Sequence, residues 1–349
     1  EIPFLHYLRT GSRRGLDPHP LFLTDYYRAQ ARIGPRETIL TAPDDSAQRA
    51  FAATETDDNR SPVPSWRLLA PAEQTAPVVF ASPHSGRDYP PEFIAASRLN
   101  VVSLRGSEDA FIDEIFAAAP DFGAPLLCAR FPRAYVDANR EAFELDPAMF
   151  TDPLPDYVNT RSPRIAAGLG TIARVVNDGE DIYHEPLRFE DALGRIEALY
   201  RPYHKALQGL LQATQERFGG CLLVDCHSMP SGQLAPELGA GDGNKPADMV
   251  LGDCFGTSSA PAVTDIAKAA LEASGFTVAL NKPYAGGFTT HHYGRPREGV
   301  HVLQVEINRA LYMDEKLVRR GPGLPALKCR LGPLMRALAD IDPAILKAP

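Results

Sequence analysis

The chain has 349 residues, of which 44% are hydrophobic and 23% charged, with a formal net charge of −8. That length allows one large domain or two around a sizeable core, and the composition is ordinary for a soluble globular protein. The acidic balance, with no Lys/Arg-rich run or basic stripe, excludes a nucleic-acid footprint, and no apolar stretch is long enough to span a bilayer. Cys128, Cys221, Cys226, Cys254 and Cys329 are odd in number, scattered and without a CxxC pair. Reduced thiols in the cytoplasm are therefore expected. The chain opens at Glu1 without the charged-then-apolar pattern of a secretion signal. Nothing in the sequence sets an oligomeric state.

Residues 1–76 are rich in Arg, Pro, Ala and Thr and weakly periodic. They read as an N-terminal extension, partly irregular or disordered, with one amphipathic helix over Leu21–Arg32 and a linker-like stretch at Asp44–Ser61. Residues 77–349 read as one domain. Val78–Ala81 is a strand that runs at once into Ser82-Pro83-His84-Ser85-Gly86. Ser107 is the expected N-cap of a helix through Ala119, with Glu108 and Asp109 at its positive end. Pro125–Ala129 is a strand, and Ala134–Asp137 is another that ends on Asn139-Arg140. Glu141–Gly179 is loop-rich, the pattern of a lid or substrate loop. Phe189–Phe218 has helical periodicity. Cys221–Val224 is an apolar strand whose tip carries Asp225, Cys226, His227 and Ser228. Met249–Leu251, Val278–Leu280 and Val302–Ile307 are further strands. Ala260–Ser274 is a helix closed by Gly275, and Pro325–Ile341 is the C-terminal helix. Strands alternating with helices predict an α/β fold built on a single mixed, mostly parallel sheet flanked by helices.

Several of these strands stop on polar residues of catalytic type, and ligands bind beyond the carboxyl ends of strands in open α/β sheets. Two His and one carboxylate with an open position for water make a usual catalytic zinc set. His84, Asp109 and His227 could form it, with Glu108 competing for the carboxylate role. Taken singly, His84 is equally a turn residue and Asp109 a helix-start acid. Asp225 suits a group that orients a ligand His. By period-2 alternation Glu306 shares a face with Gln304 and Asn308. A carboxylate there could take a proton from water and pass it to a leaving amine, or else pair with Arg309 or Arg140. Asn139 and Arg140 suit a substrate carboxylate, with Arg133 as a second clamp; the alternative is an Arg140–Asp137 ion pair. Gly286 and Gly287 let backbone approach a ligand closely. His292 could polarise a carbonyl, and Arg87 or His292 could hold an oxyanion. Cys226 faces away from its neighbour His227, so the two are not a dyad. No GxSxG elbow, GxGxxG loop or GxxxxGK[ST] loop occurs.

The segments SPHSG (Ser82–Gly86), YVDANR (Tyr135–Arg140), DCHSMP (Asp225–Pro230), NKPYAGGFTTHHYGRP (Asn281–Pro296) and HVLQVEINRALYMDE (His301–Glu315) resemble the N-formylglutamate amidohydrolase family. The resemblance runs from about Val78 to about Lys316, in the family's order. It implies a zinc-exopeptidase-like fold and a Zn2+-dependent amidohydrolase of the aspartoacylase type. Such an enzyme splits N-formyl-L-glutamate into formate and L-glutamate, a step in histidine breakdown. It implies His84, His227 and Asp109 as zinc ligands and Glu306 as general base and acid. VDANR is similar to the DLNR motif of aspartoacylase-type enzymes, which puts Asn139 and Arg140 on the substrate carboxylate, with Ala138 in place of Leu. One departure stands out: the relatives' metal motif carries a carboxylate three residues after the first His, where this chain has Arg87. Another small N-acyl amino acid, or a peptidoglycan fragment, is the alternative substrate. A non-catalytic metal- or small-molecule-binding protein on the same scaffold is the alternative of another class.

Overall fold

In a computed structural model of the chain, the described residues are 63–176, 179–233 and 247–348. The stretches Leu21–Arg32 and Asp44–Ser61 lie outside them. Among the described residues, β1 (Trp66–Leu69), β2 (Val78–Ser82), β3 (Leu126–Ala129), β4 (Cys221–Met229), β5 (Met249–Gly252), β6 (Val278–Leu280) and β7 (Val300–Asn308) form one sheet in the order β1-β3-β2-β4-β7-β5-β6. The β3–β2, β2–β4, β4–β7 and β5–β6 pairs are parallel, and β1–β3 and β5–β7 antiparallel. This is the mixed, mostly parallel α/β sheet expected. Among the helices that cover the sheet or border its polar end are α1 (Ile112–Ile115), α2 (Arg201–Phe218), α3 (Pro261–Ala273), α4 (Phe288–Tyr293) and α5 (Leu324–Ala339).

β4 and β7 are buried along their whole lengths, as central strands covered on both faces must be. Their alternation sorts the sheet into two faces. Leu222, Val224 and Cys226 of β4 and Leu303, Val305 and Ile307 of β7 join Val78, Phe80 and Leu251 in one apolar cluster. Val263 and Leu271 of α3 and Leu331 and Leu338 of α5 cover it. α2 packs on β2 and β4 with Tyr203, Leu207 and Leu211, none of which belongs to that cluster. On the other face, the carboxyl-terminal halves of β4 and β7 carry Asp225, His227, Gln304, Glu306 and Asn308, with Met229 at the end of β4 packed on Ala247 and Val250. After β2 the chain moves to β3 on one side and then to β4 on the other. The crevice between β2 and β4 is thus the topological switch point where such sheets bind ligands.

Three expectations are corrected. The sheet begins upstream of residue 77, because β1 lies within the segment read as an extension and pairs with β3. The helix expected from Ser107 through Ala119 shrinks to α1, which starts after Phe111 at φ 68°. The Asp109 N–H is drawn to the His84 carbonyl, and Ser107 Oγ bonds the Leu104 carbonyl instead of capping α1. Ala134–Asp137 is not a strand: Tyr135 and Val136 close turns onto Pro132, and the Asp137 N–H reaches Thr171. Within the expected helix over 189–218, Ile196–Tyr200 relaxes to a π-helical turn just before Pro202. Proline has no N–H to continue the ladder there. No helix among the described residues is long and apolar enough to cross a membrane, and all five cysteines are free thiols.

Candidate metal centre and active site

The turn after β2, the turn before α1 and the end of β4 bring three side chains together. His84 Nδ1 lies 3.3 Å and His227 Nδ1 2.9 Å from the same oxygen, Asp109 Oδ2. All three residues are buried, and their candidate ligand atoms lie within 4.8 Å of one another. The far nitrogen of each ring meets its own carboxylate. His84 Nε2 is 2.6 Å from Asp137 Oδ1, and His227 Nε2 is 3.0 Å from Asp225 Oδ2. A carboxylate on Nε2 keeps a proton there and makes Nδ1 the nitrogen that would be free for a metal, the arrangement metal-binding histidines adopt. Four buried carboxylates (Asp109, Asp137, Asp225, Glu306) face three guanidiniums (Arg133, Arg140, Arg309) around this point. The excess negative charge suits a divalent cation, and two imidazoles with one carboxylate form a donor set that divalent transition metals, zinc among them, accept. Glu108 takes no part: Tyr89 and Arg105 hold its carboxylate, and burial raises its pKa.

The other Asp109 oxygen is held by Ser228 Oγ at 3.2 Å and Arg309 Nη2 at 3.2 Å, with Arg133 Nη1 at 3.9 Å. Arg309 also bonds Ser228 Oγ and the carbonyls of Gly106 and Glu108, so one buried guanidinium ties the Asp109 turn to β4. Burial opposes the charge on Asp109, but His227, His84 and Arg133 together keep its pKa well below the usual carboxylate range. Burial likewise opposes the charge on His227, yet Asp225 and Asp109 push its pKa well above the ordinary value.

β4 and β7 run parallel with His227 beside Glu306 and Asp225 beside Gln304. Period-2 alternation therefore sets Glu306 next to the metal-site face. Burial lifts the Glu306 pKa to about 8, against the pull of His227 and Arg133. Gln304 Nε2 donates to Glu306 Oε1 at 2.9 Å.

Asn139 and Arg140 come to the site, and each makes several of its bonds to protein groups. Asn139 Oδ1 accepts from the Thr289 N–H at 2.7 Å, and its Nδ2 lies 3.1 Å from His227 Nε2 and 3.4 Å from Asp225 Oδ2. Arg140 bonds the Leu169 and Asn139 carbonyls and sits 3.6 Å from Asp137. Arg133 is more open: its guanidinium donates to Asp137 at 2.9 Å with one-fifth of the side chain exposed. Gly287 lies against Asn139, where a Cβ would fall 2.7 Å from Asn139 Cγ, and Gly286 packs on Cys254 Sγ at φ 141°. His292 is exposed on α4, stacked on Phe288. Arg87 is not brought to the cluster. Asp113 at 3.0 Å and Glu114 at 3.3 Å hold it, so the oxyanion role expected of it has no geometric support.

A family model for N-formylglutamate amidohydrolase matches residues 76–313. The chain belongs to the N-formylglutamate amidohydrolase family. Membership makes it an amidohydrolase, a hydrolase of an amide bond. The N-formylglutamate deformylase of Pseudomonas putida is 29% identical over 255 residues, spanning 71% of this chain and 86% of that protein. The N-formylglutamate deformylase of Pseudomonas aeruginosa is 30% identical over 243 residues, spanning 69% and 83%. The crystal structure of N-formylglutamate amidohydrolase from Ralstonia eutropha is similar with a TM-score of 0.74 and 35% identity, over 80% of this chain and 98% of that one. A gene product from Agrobacterium tumefaciens at 18% identity, TM-score 0.53, shares the fold.

For this member of the family, the sequence reading missed the roles of Asp137, Ser228 and Arg309. Asp137 was visible as the first polar residue after an apolar run, but its partner His84 is 53 positions upstream. Arg309 follows Glu306 closely in sequence yet reaches Asp109, 200 positions away.

Proposed function

We propose that this amidohydrolase cleaves N-formyl-L-glutamate to formate and L-glutamate with a zinc ion held by His84, Asp109 and His227. The observation that carries the reading is the convergence of His84 Nδ1, Asp109 Oδ2 and His227 Nδ1, with Glu306 beside His227 on the neighbouring strand. The printed names of the deformylase relatives supply the substrate. When bound, such an ion polarises an amide carbonyl and lowers the pKa of water.

The protein's own groups do the rest. Glu306 takes the proton of the attacking water and returns it to the leaving nitrogen. Its raised pKa places it near the range where a carboxylate can do both. Asp137 and Asp225 keep the two imidazoles oriented through their Nε2 atoms. Arg133 is the better placed clamp for a substrate carboxylate, because Arg140 is already bonded to two backbone carbonyls. Asn139 orders the site around His227, and His292 is the remaining oxyanion donor. Five reduced thiols fit a reducing compartment such as the cytoplasm.

The test is formate release from N-formyl-L-glutamate against a panel of N-acyl amino acids, with metal content measured on the same sample. Turnover of the formyl compound, abolished by chelator and by Glu306→Gln, is the expected result. Turnover only of another N-acyl amino acid would replace the substrate. Full activity after complete metal removal would remove the metal from the reading.

A further inference from the structure

We propose that Gln304 is a positioning residue that ties the Gly286-Gly287 turn and the start of α4 to the carboxylate of Glu306. The inference rests on the reading of Glu306 as general base. Gln304 sits in the middle of β7, 3% exposed, on the same face as Glu306. Its Oε1 accepts from the Gly287 N–H at 2.8 Å and from Thr290 Oγ1 at 3.4 Å, and its Nε2 donates to Glu306 Oε1 at 2.9 Å.

The two ends of an amide look alike, but here the neighbours decide which way it points. The Gly287 N–H can only donate, so the oxygen must face it, and the NH2 group is left for the Glu306 carboxylate. The loop backbone thereby dictates that Glu306 receives a donor. A second tie runs parallel to the first: Asn139 Oδ1 accepts from Thr289 in α4, while Asn139 Nδ2 donates at 3.4 Å to Asp225 Oδ2, the carboxylate that also faces His227 Nε2. The start of α4 is thus gripped by one amide that reaches Glu306 and another that reaches Asp225, the carboxylate behind His227. Close packing of Gly287 on Asn139 leaves no room to slide.

Two substitutions separate the halves of the link. Gln304→Met keeps the length and removes both bonds; Gln304→Glu keeps the acceptor for Gly287 and replaces the NH2 donor with a carboxyl that must share a proton with Glu306, taking from it the free carboxylate that a base needs. The measurements are kcat and KM for the turned-over substrate, and hydrogen exchange at the Gly287 amide. In Gln304→Met, kcat should fall about 10- to 100-fold with a smaller change in KM, and Gly287 exchange should accelerate. In Gln304→Glu, protection of Gly287 should return toward wild type while kcat stays low. Wild-type kcat in Gln304→Met that still folds, or full recovery of kcat in Gln304→Glu, overturns the proposal. Glu306→Gln serves as the reference. If it too keeps wild-type turnover, the base assignment falls and Gln304's role with it. If it is inactive while both Gln304 variants are normal, the role of Gln304 alone is wrong.

Discussion

Arg309→Leu offers the sharpest test of how Asp109, the carboxylate of the candidate metal centre, is held. Arg309 is 4% exposed and makes bonds to Ser228 Oγ at 3.0 Å, the Gly106 carbonyl at 3.1 Å, the Glu108 carbonyl at 2.6 Å and Asp109 Oδ1 at 3.2 Å. Leucine fills part of the volume and satisfies none of these acceptors. Removing one partner of a buried pair costs about 3–5 kcal/mol, because the other charge stays buried without it. Asp109 retains Ser228, Arg133 and the two histidines, so the lower half of that range is expected. At roughly 2 °C per kcal/mol for a domain of this size, the melting temperature should drop by about 6–8 °C. The measurement is a paired denaturant and thermal melt of wild type and variant stripped of metal, repeated with zinc added. Zinc should restore part of the loss, because it supplies the positive charge that Asp109 has lost. A destabilisation below about 1 kcal/mol would show that the Arg309 network contributes no more than a surface pair and that the Asp109 turn holds itself.

Asp137→Asn should weaken zinc binding about 10- to 100-fold, since His84 loses the carboxylate that sets its tautomer. Competition against a chromogenic chelator reads it, and unchanged affinity refutes the role. Gly287→Ala should cost about 1–3 kcal/mol and most of the activity, because the new methyl meets Asn139 side-chain atoms that Thr289 and Asp225 already fix. A normal melt with normal kcat would show that Asn139 can give way. His204 supplies the pH test. Burial holds its pKa at about 3, against the pull of the Ala138 carbonyl. Its folded pKa is therefore below its unfolded value near 6.5. The unfolded state takes up the proton first as pH falls, so this contribution is complete above about pH 6.5 and is lost progressively toward pH 3. The stability of wild type relative to His204→Gln should fall by up to about 2 kcal/mol between pH 7.5 and pH 5. A difference independent of pH would mean that His204 is as easily protonated in the fold as outside it.

The sequence showed the parts of this protein that alternation encodes. Asp225 and His227 on one face of a strand, and Gln304 and Glu306 on one face of another, are readable because period 2 is strict along a strand. The register that sets His227 beside Glu306 belongs to the pairing of β4 with β7 and could not be read from either strand alone. Segments outside strands were less legible. Ala134–Asp137 alternates like a strand but has no partner, so its N–H groups turn back to Pro132 and across to Thr171. Ser107–Asp109 has the composition of a helix start, but the His84 carbonyl and two imidazoles claim Asp109 first. Arg140 reads as a substrate clamp because guanidinium forks suit carboxylates; that two of its N–H groups go to backbone carbonyls is set by the turn around it and is invisible in the sequence. Arg87 lies three residues after a metal-site histidine, yet Asp113 and Glu114 hold it.

The same alternation ties the site's geometry to the core. Between Asp225 and His227 stands Cys226, and between Gln304 and Glu306 stands Val305, both buried in the apolar cluster under α3 and α5. A slip of one residue in β4 would carry His227 and Asp225 into that cluster and expose Val224 and Cys226 to Asp109. Burying two ionisable groups without partners costs far more than the strand could recover by pairing in the wrong register. The apolar residues therefore hold the metal-site residues in register as much as they stabilise the fold. Core substitutions on the far face, Val305 among them, should disturb the spacing of His227 and Glu306 before they unfold the domain.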